Sequence, residues 1–253
     1  MTWSATQYSR FEEERTRPSR DLVAAIPRDS AAYAVDLGCG PGNSTQMLAA
    51  RYPDATILGI DSAGDMIRAA RERLPDVAFD VADIASWRAE RPVDVILANA
   101  SLQWLPDHAQ LYPHLLAQLA GGGCLAVQMP DNLGEPPHRV AQTLAASPRW
   151  SARIGHVQHP ERHDAAWYHA LLTPLCSRVD IWRTTYFHPL ADHAAVVEWF
   201  KGSALGPYLA PLDDAERSEF LSAYLDGITR AMPAQDDGTV LLPFPRLFVV
   251  AQV

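Results

Sequence analysis

The residues best suited to chemistry lie in one glycine-rich stretch, Tyr33–Thr45, which reads YAVDLGCGPGNST. Its first half is apolar and predicts a buried strand, with the carboxylate of Asp36 close to the strand's carboxyl end. Gly38 and Gly40 then allow a sharp turn and leave no side chain between the backbone amides and a ligand. The polar residues that follow are able to cap a helix, and they are Asn43, Ser44 and Thr45. A strand, a glycine turn and a helix start together predict a cofactor-binding cradle.

The spacing of the glycines argues against a dinucleotide as the ligand. A dinucleotide fingerprint reads G-x-G-x-x-G, with the third glycine where the helix packs on the strand. Asn43 takes the place of that third glycine here. Asp36 stands just before the turn, where its carboxylate would repel a pyrophosphate and attract a cation. The turn therefore predicts a positively charged ligand that carries a nucleoside.

The next strand and helix add polar groups at the same edge of the predicted sheet. Thr56–Ile60 reads as the second strand and ends at Asp61, about twenty residues beyond the glycines, where a carboxylate can bind a ribose diol. A helix cap is the other role open to Asp61. Ser62 is expected to cap the following helix. Met66 lies on the apolar face of that helix, where contact with the cofactor and a place in the core both stay open.

The alternation of strands and helices predicts an α/β fold with a doubly wound, mostly parallel, Rossmann-like sheet. The regular alternation stops in the second half of the chain, where two helical insertions are expected to cap the carboxyl edge of the sheet. Three strand segments then close the chain, the last two as an antiparallel hairpin at the sheet edge. The expected organisation is one domain over 1–253, divided into an N-terminal flap (1–30), a cofactor-binding core (31–130), helical cap segments (131–176 and 192–232) and C-terminal strands (178–188 and 240–253).

Composition limits the class of partner. The 253 residues carry a net charge of −9, which disfavours nucleic acid and anionic membranes. Three cysteines lie far apart without metal-ligand spacing, so we expect a reducing compartment and no metal cofactor. No apolar run reaches the length of a membrane span, and the amino end carries no signal-peptide pattern. These features predict a soluble cytoplasmic protein. Composition does not define the oligomeric state, for which we expect a monomer or a weak homodimer.

The stretch DLGCGPGNST at Asp36–Thr45 resembles the first motif of the class I S-adenosylmethionine-dependent methyltransferases. Further stretches are similar, more specifically, to the members of this family that esterify trans-aconitate, and the resemblance runs through nearly the whole chain. They are LANASLQWLPDH at Leu97–His108, LAVQMPDN at Leu125–Asn132, VDIWRTTY at Val179–Tyr186 and FPRLFVVA at Phe244–Ala251. The resemblance implies S-adenosyl-L-methionine as cofactor and S-adenosyl-L-homocysteine as its product. It also implies a small anionic polycarboxylate as the methyl acceptor.

The resemblance assigns further roles to residues that contact the cofactor. In the family, an acidic residue at the end of the third strand accepts a hydrogen bond from the adenine amino group. Asp83 inherits that role, and Ile84 stands beside it. From the sequence alone, an exposed loop aspartate is an equally good interpretation of Asp83. Asn99 and Ala100 follow a fourth, nearly continuous apolar strand, at the edge where ligands bind in open α/β sheets. We expect both of them to line the cofactor.

The first thirty residues combine aromatic residues with arginines, and Pro18–Ile26 predicts a helix that begins at the proline. Similar methyltransferases place such a segment over the methionine part of the cofactor. Tyr8 and Phe11 are then expected to exclude water, and Arg15 or Arg17 to pair with an anionic end group. An amphipathic cover packed on the sheet edge is the alternative interpretation, and the two are compatible.

The predicted reaction needs alignment and a dry pocket more than a base. A carboxylate, with a pKa of about 4, is ionised at neutral pH and requires no general base, so we assign no catalytic residue. An acidic protein must gather local positive charge to hold a tricarboxylate, and arginine binds carboxylates through two parallel hydrogen bonds. The predicted acceptor-binding residues are Gln103, Trp104, Arg183, Tyr186 and Arg246.

Three other functions stay open at this stage. The same cofactor fold also serves methyltransferases for malonyl groups on a carrier protein, for amines and for phenols, although a carrier protein should need an exposed basic docking surface. A non-catalytic sensor would bind the cofactor or its demethylated product and have a closed acceptor pocket, or one without arginine. A nicotinamide oxidoreductase is disfavoured by the missing third glycine and by Asp36.

Overall fold

The chain forms a seven-stranded sheet flanked by helices. The computed structural model describes residues 12–158, 163–202 and 204–253. The strands are β1 (Tyr33–Leu37), β2 (Thr56–Asp61), β3 (Ala78–Val81), β4 (Val93–Asn99), β5 (Leu119–Pro130), β6 (Arg178–Leu190) and β7 (Val240–Gln252). The α-helices are α1 (Glu12–Ala24), α2 (Asn43–Arg51), α3 (Gly64–Arg73), α4 (His108–Leu116), α5 (Pro136–Ala145), α6 (Ser151–Ile154), α7 (Ala165–Leu172), α8 (His193–Lys201), α9 (Gly206–Leu209) and α10 (Asp214–Ala231).

The first five strands are parallel and lie in the order β3-β2-β1-β4-β5. The chain builds outward from β1 in one direction and then returns to add β4 on the other side. This reversal creates a crevice at the carboxyl ends of β1 and β4, which is where open α/β sheets bind their ligands. The predicted doubly wound α/β sheet is confirmed.

The central strands are apolar because helices cover them on both sides. All five residues of β1 are buried, and so are the four residues 95–98 of β4. A strand enclosed in this way reads as a continuous apolar run in place of an alternating one. Asp36 is the one charged residue of β1, and its carboxylate is as fully buried as the apolar side chains around it.

The C-terminal strand is antiparallel, as predicted, but it does not lie where the sequence placed it. β7 runs without a break from Val240 to Gln252 and pairs with β5, with Leu125 opposite Ala251. β6 lies on its other side. The prediction of a hairpin at the sheet edge is therefore wrong. β7 is an inner strand, and this is why its second half is so apolar.

One other predicted boundary is also wrong. α1 begins at Glu12 and carries Pro18 in its interior, so the proline does not start the helix. The triplet Gly121–Gly123 lies within β5. The register between β4 and β5 shifts between Val93 and Val95, beside the glycines, and they form an irregular bulge in the strand.

The chain divides into two compact units. The described part of the first comprises residues 12–130, 163–184 and 246–253, and that of the second comprises residues 131–158, 185–202 and 204–245. Tyr168 and Leu172 of α7 belong to the main core of the first unit, together with Leu37 and Ile96. The prediction had assigned α7 to the cap. The description of the whole chain as one domain stays a prediction.

The second unit is mainly helical, with the end of β6 and the start of β7, and has its own interior. Phe220 and Tyr224 on α10 are fully buried and stack with a ring-centroid distance of 6.5 Å. Tyr224 Oη also donates to the carbonyl of Pro137 on α5 at 3.1 Å. Phe220, Tyr224 and the buried Ile228 follow one another at four-residue intervals on α10, which is the spacing of one buried helix face.

A membrane span and a metal site each place definite requirements on the described residues. Within the described ranges, none of the helices combines the length and the apolar character that crossing a bilayer requires. Across the same ranges, no three or more His, Cys, Asp or Glu side chains come together in a way that could hold a metal ion.

Candidate active site

The glycine turn after β1 is held in a left-handed conformation. The backbone angle φ is +72° at Gly38 and +54° at Gly40, a region that other residues enter at a cost in free energy. The amides of Gly38 and Cys39 both donate to the carbonyl of Ile60, at 2.8 and 2.9 Å, which ties the turn to the end of β2. A Cβ atom on Gly38 would lie 2.3 Å from Ser101 Cβ, whereas a Cβ on Gly40 would meet open space. Gly40 therefore leaves room for a ligand against the backbone.

Asp36 lies beneath this turn and fastens it. Its Oδ2 accepts hydrogen bonds from Ser44 Oγ and Thr45 Oγ1, each at 2.7 Å. The prediction that Asn43, Ser44 and Thr45 cap α2 is wrong, because Gly42 is the N-cap residue and no side-chain cap bond forms. Burial raises the pKa of Asp36 to about 6, and the two hydroxyl hydrogen bonds oppose part of that rise.

A cavity of about 480 Å³ opens at the carboxyl ends of β1, β2, β3 and β4. This volume is in the range of small-molecule sites. Nine residues predicted to bind the cofactor line it, namely Gly38, Gly40, Asp61, Ser62, Met66, Asp83, Ile84, Asn99 and Ala100. The structure thus brings together residues that the sequence spreads over four strand ends. Asp36 does not line the cavity, and contact between any of these residues and a cofactor stays a prediction.

Two carboxylates face the cavity from the ends of β2 and β3. Asp61 accepts hydrogen bonds from Gly40 N at 3.0 Å and from Ala63 N at 2.9 Å, one on each oxygen. A carboxylate has about four acceptor sites, so both oxygens of Asp61 keep capacity for further donors. Asp83 Oδ1 accepts from Ala85 N at 3.0 Å. The predicted cap by Ser62 is wrong, because Ala63 is the N-cap residue of α3.

The segment after β4 contains a strained alanine. Ala100 has a φ of +55°, a conformation that costs a residue with a side chain about 1–3 kcal/mol. Its amide donates to the carbonyl of Gln128 at 2.8 Å, and its carbonyl accepts from Gln103 Nε2 at 2.6 Å. Gln103 is buried and does not line the cavity, whereas Trp104 is 45% exposed and does. Gln103 thus supports the Ala100 backbone, and its predicted contact with the acceptor stays a prediction.

Helix α1 supplies two cavity residues that the sequence analysis missed, Thr16 and Ser19. They are three positions apart and therefore share one face of the helix. This spacing of two small hydroxyl residues is the sequence feature from which their shared location could have been predicted. Ser19 is 2% exposed. Arg17 is exposed and does not line the cavity. The predicted contacts of Tyr8 and Phe11 lie outside the described residues.

The predicted acceptor residues fall in different places. Arg246 belongs to the first unit, is 6% exposed, and donates from Nη1 to Gln128 Oε1 at 3.4 Å. Arg183 belongs to the same unit and is exposed on β6, while Tyr186 is buried and belongs to the second unit. Of these predicted residues, Trp104 lines the cavity and Arg183, Tyr186 and Arg246 do not. Their binding of an acceptor stays a prediction.

Gln128 is the second feature that the sequence analysis missed. It is a fully buried glutamine on β5, inside the apolar run CLAVQMP. Burying an amide without hydrogen bonds is unfavourable, so a lone polar residue in such a run indicates a specific partner. That partner in the structure is Arg246.

Comparison with known proteins gives a consistent result. Residues 34–123 match the family model described as a methyltransferase domain. The chain is 53% identical over 252 residues to a trans-aconitate 2-methyltransferase from Methylobacterium nodulans, which covers 99% of this chain and 98% of that protein. It is 51% identical over 254 residues to the protein of the same name from Methylobacterium radiotolerans, which covers 99% of this chain and 98% of that one.

Among solved structures, the YcgJ protein of Bacillus subtilis has a similar fold. The superposition gives a TM-score of 0.60 and covers 93% of this chain and 98% of that one. The two sequences are 12% identical, so this likeness concerns the fold alone. The identity of the relatives from Methylobacterium extends instead over almost every segment of the chain, including those beyond β5.

Proposed function

The chain belongs to the trans-aconitate 2-methyltransferase family, and we propose that it transfers the methyl group of S-adenosyl-L-methionine to one carboxylate of trans-aconitate. The products are a monomethyl ester and S-adenosyl-L-homocysteine. The observation that carries this proposal is the extent of the match, because 53% identity over 99% of the chain includes the C-terminal strands as well as the glycine turn. A match to the glycine turn alone would leave the acceptor undefined.

The volume of the cavity and the groups that line it support this choice of cofactor. Open space around Gly40 allows a ligand to approach the backbone, and Asp61 and Asp83 offer acceptors at two strand ends. We assign Asp61 to the ribose hydroxyls, Asp83 to the adenine amino group, and Asn99 and Ala100 to the cavity wall. The cofactor, when bound, supplies a methyl group on a sulfonium that is open to in-line attack.

The acceptor supplies its own nucleophile. A carboxylate with a pKa of about 4 is ionised at neutral pH, so the protein needs to align it and exclude water. Trp104 is available at the cavity wall for this purpose. Arg246 is suited to hold a second carboxylate of the same molecule, because its buried guanidinium is weakly screened by solvent.

The chemistry of the substrate fits the remaining features of the chain. A small trianion is compatible with a protein of net charge −9 only where an arginine supplies a local positive field. The three cysteines are free thiols, which fits a reducing compartment. We therefore propose a cytoplasmic enzyme that acts as a monomer or a weak homodimer and binds neither nucleic acid nor membranes.

The proposal is tested by methyl transfer from labelled S-adenosyl-L-methionine to a panel of acceptors. The panel contains trans-aconitate, cis-aconitate, citrate, isocitrate, a malonylated carrier protein, a simple amine and a phenol. We expect selective labelling of trans-aconitate as a base-labile ester. Selective labelling of another acceptor would contradict the proposal, and cofactor binding without transfer to any of them would favour a sensor.

A further inference from the structure

Gln128 occupies a central position between the cavity and the buried arginine. It lies on β5 with no exposed surface, and its register partners are Asn99 on β4 and Phe248 on β7. Its side-chain Oε1 accepts a hydrogen bond from Arg246 Nη1 at 3.4 Å. Its backbone carbonyl accepts from the amide of Ala100. The residue therefore links three neighbouring strands at the carboxyl edge of the sheet.

The partner fixes which way the amide of Gln128 points. A guanidinium has only donors, so the oxygen of the amide must face Arg246 and the NH₂ group must point elsewhere. This Nε2 is buried, and it has no hydrogen-bond partner anywhere in the described part of the chain. A buried donor without an acceptor is unfavourable in a folded protein and calls for a ligand or a water molecule.

The neighbouring strand shows where such a ligand would lie. Asn99 lines the cavity, and its Oδ1 is also buried without a partner among the residues described. Register partners on adjacent strands lie about 4.8 Å apart with their side chains on the same face. Arg246 is two positions from Phe248 on β7, so its side chain points to this face as well. Asn99, Gln128 and Arg246 therefore form one row that leads from the cavity across three strands.

We propose that Gln128 is an acceptor-binding residue, whose Oε1 orients the guanidinium of Arg246 and whose Nε2 donates a hydrogen bond to a carboxylate oxygen of the acceptor. The inference rests on the proposed function and names a residue of its acceptor site. A neutral amide suits both tasks, because it orders the guanidinium without neutralising the charge. A glutamate at this position would form an ion pair with Arg246 and repel the substrate.

Two substitutions separate this role from a structural one. Gln128→Glu keeps the shape of the side chain, and we expect it to raise the KM for trans-aconitate about 100-fold at pH 8. Gln128→Leu removes both hydrogen-bonding groups, and we expect a KM increase of about 10-fold, because a neutral hydrogen bond to a charged group is worth roughly that factor. In both variants the dissociation constant of S-adenosyl-L-homocysteine, measured by calorimetry, stays within about twofold of wild type. The exposed Gln142→Glu is the matched control.

A purely structural role gives a different pattern. Leucine would then replace an unsatisfied amide in an apolar strand, so Gln128→Leu would leave the KM for trans-aconitate unchanged, and that result overturns the inference. Binding of trans-aconitate to the complex with S-adenosyl-L-homocysteine is measured alongside. Wild-type protein that binds trans-aconitate without methylating it overturns the proposed function alone, and Gln128 is then judged by binding. Wild-type protein that neither binds nor methylates it overturns both.

Discussion

We call the residues proposed to bind the cofactor the cofactor side of the first unit, and those proposed to bind the acceptor its acceptor side. The two sides are built in different ways. On the cofactor side, most residues lie at the end of a strand or shortly after it, and the parallel order of β1 to β4 brings those strand ends to one edge. On the acceptor side, Arg246 and Gln128 are separated by 118 positions and meet only because β7 runs antiparallel to β5. The first arrangement can be read from local motifs. The second depends on the register of a distant strand.

The two sides also differ in their electrostatics. Asp61 is half-buried and accepts hydrogen bonds from two backbone amides. Solvent and the amide dipoles therefore both stabilise its negative charge. Arg246 is only 6% exposed, so solvent stabilises its charge much less. Removing this charge or its partner should therefore change substrate binding more than removing the charge of Asp61. Substitutions on the two sides should therefore change different kinetic constants by different amounts.

The largest effect is expected from Arg246→Met. Loss of a desolvated guanidinium that binds a carboxylate should lower kcat/KM for trans-aconitate by about 1000-fold, mostly through KM. The dissociation constant of S-adenosyl-L-homocysteine should stay within about twofold. Steady-state kinetics and calorimetry measure the two quantities. Arg178→Met removes an exposed arginine of the same unit and serves as control. A normal KM in Arg246→Met would break the assignment of the acceptor side.

The next effect concerns the glycine turn. In Gly38→Ala a Cβ atom would lie 2.3 Å from Ser101 Cβ, at a φ of +72°. Relief of that clash must move the turn, so we expect cofactor affinity to fall by about 30-fold, equivalent to about 2 kcal/mol. Gly121→Ala is the control, since a Cβ there meets open space. Equal cofactor affinity in the two variants would show that the turn does not shape the binding site.

A smaller effect is expected from Asp61→Asn. The amide oxygen can replace one of the two carboxylate acceptors that bind Gly40 N and Ala63 N, while the charge is lost. We expect the KM for S-adenosyl-L-methionine to rise about 10-fold and that for trans-aconitate to stay within about twofold. Asp76→Asn, at an exposed position, is the control. A change confined to trans-aconitate would reverse the assignment of the two sides.

Asp36→Asn should have the smallest effect on catalysis and a clear effect on stability. The pKa of Asp36 is raised by burial from 3.8 to about 6. Its contribution to stability is therefore complete below pH 4 and is lost as the pH rises through about 6. By linkage this loss amounts to about 3 kcal/mol. Asparagine does not titrate, so Asp36→Asn should lack this decline in urea unfolding measured from pH 4 to 8. If the stability of wild type and of Asp36→Asn changed with pH in the same way, the pKa of Asp36 would be the same in the folded and unfolded states, which would contradict the prediction.

Sequence reasoning reached the fold and the cavity because both follow from local patterns. Apolar runs, glycines and strand-end carboxylates such as Asp61 and Asp83 fix the parallel core, and nine predicted residues meet at one cavity. It failed for the capping role of Ser44 and Thr45, whose hydroxyls bind the buried carboxylate of Asp36, because capping and support of a strand end use the same residue types. The structure distinguishes the two roles, because both hydroxyl oxygens lie 2.7 Å from Asp36 Oδ2.

The arrangement of the proposed acceptor side could not be predicted from the sequence. β7 was expected as a hairpin at the edge, and only its inner position brings Arg246 onto Gln128. The register of an antiparallel strand is set by packing along its whole length, and no local motif records it. Gln128 had one local signal, a polar residue in an apolar run, but its partner was not predictable.

The most direct test of this two-sided arrangement is an initial-rate titration of both substrates on wild type, Asp61→Asn and Arg246→Met. We predict that wild type methylates trans-aconitate and that the variants give a crossed result. Asp61→Asn should raise the KM of S-adenosyl-L-methionine alone, and Arg246→Met should raise that of trans-aconitate alone. The arrangement would be contradicted by both variants raising the same KM, or by wild-type protein that forms no methyl ester of trans-aconitate.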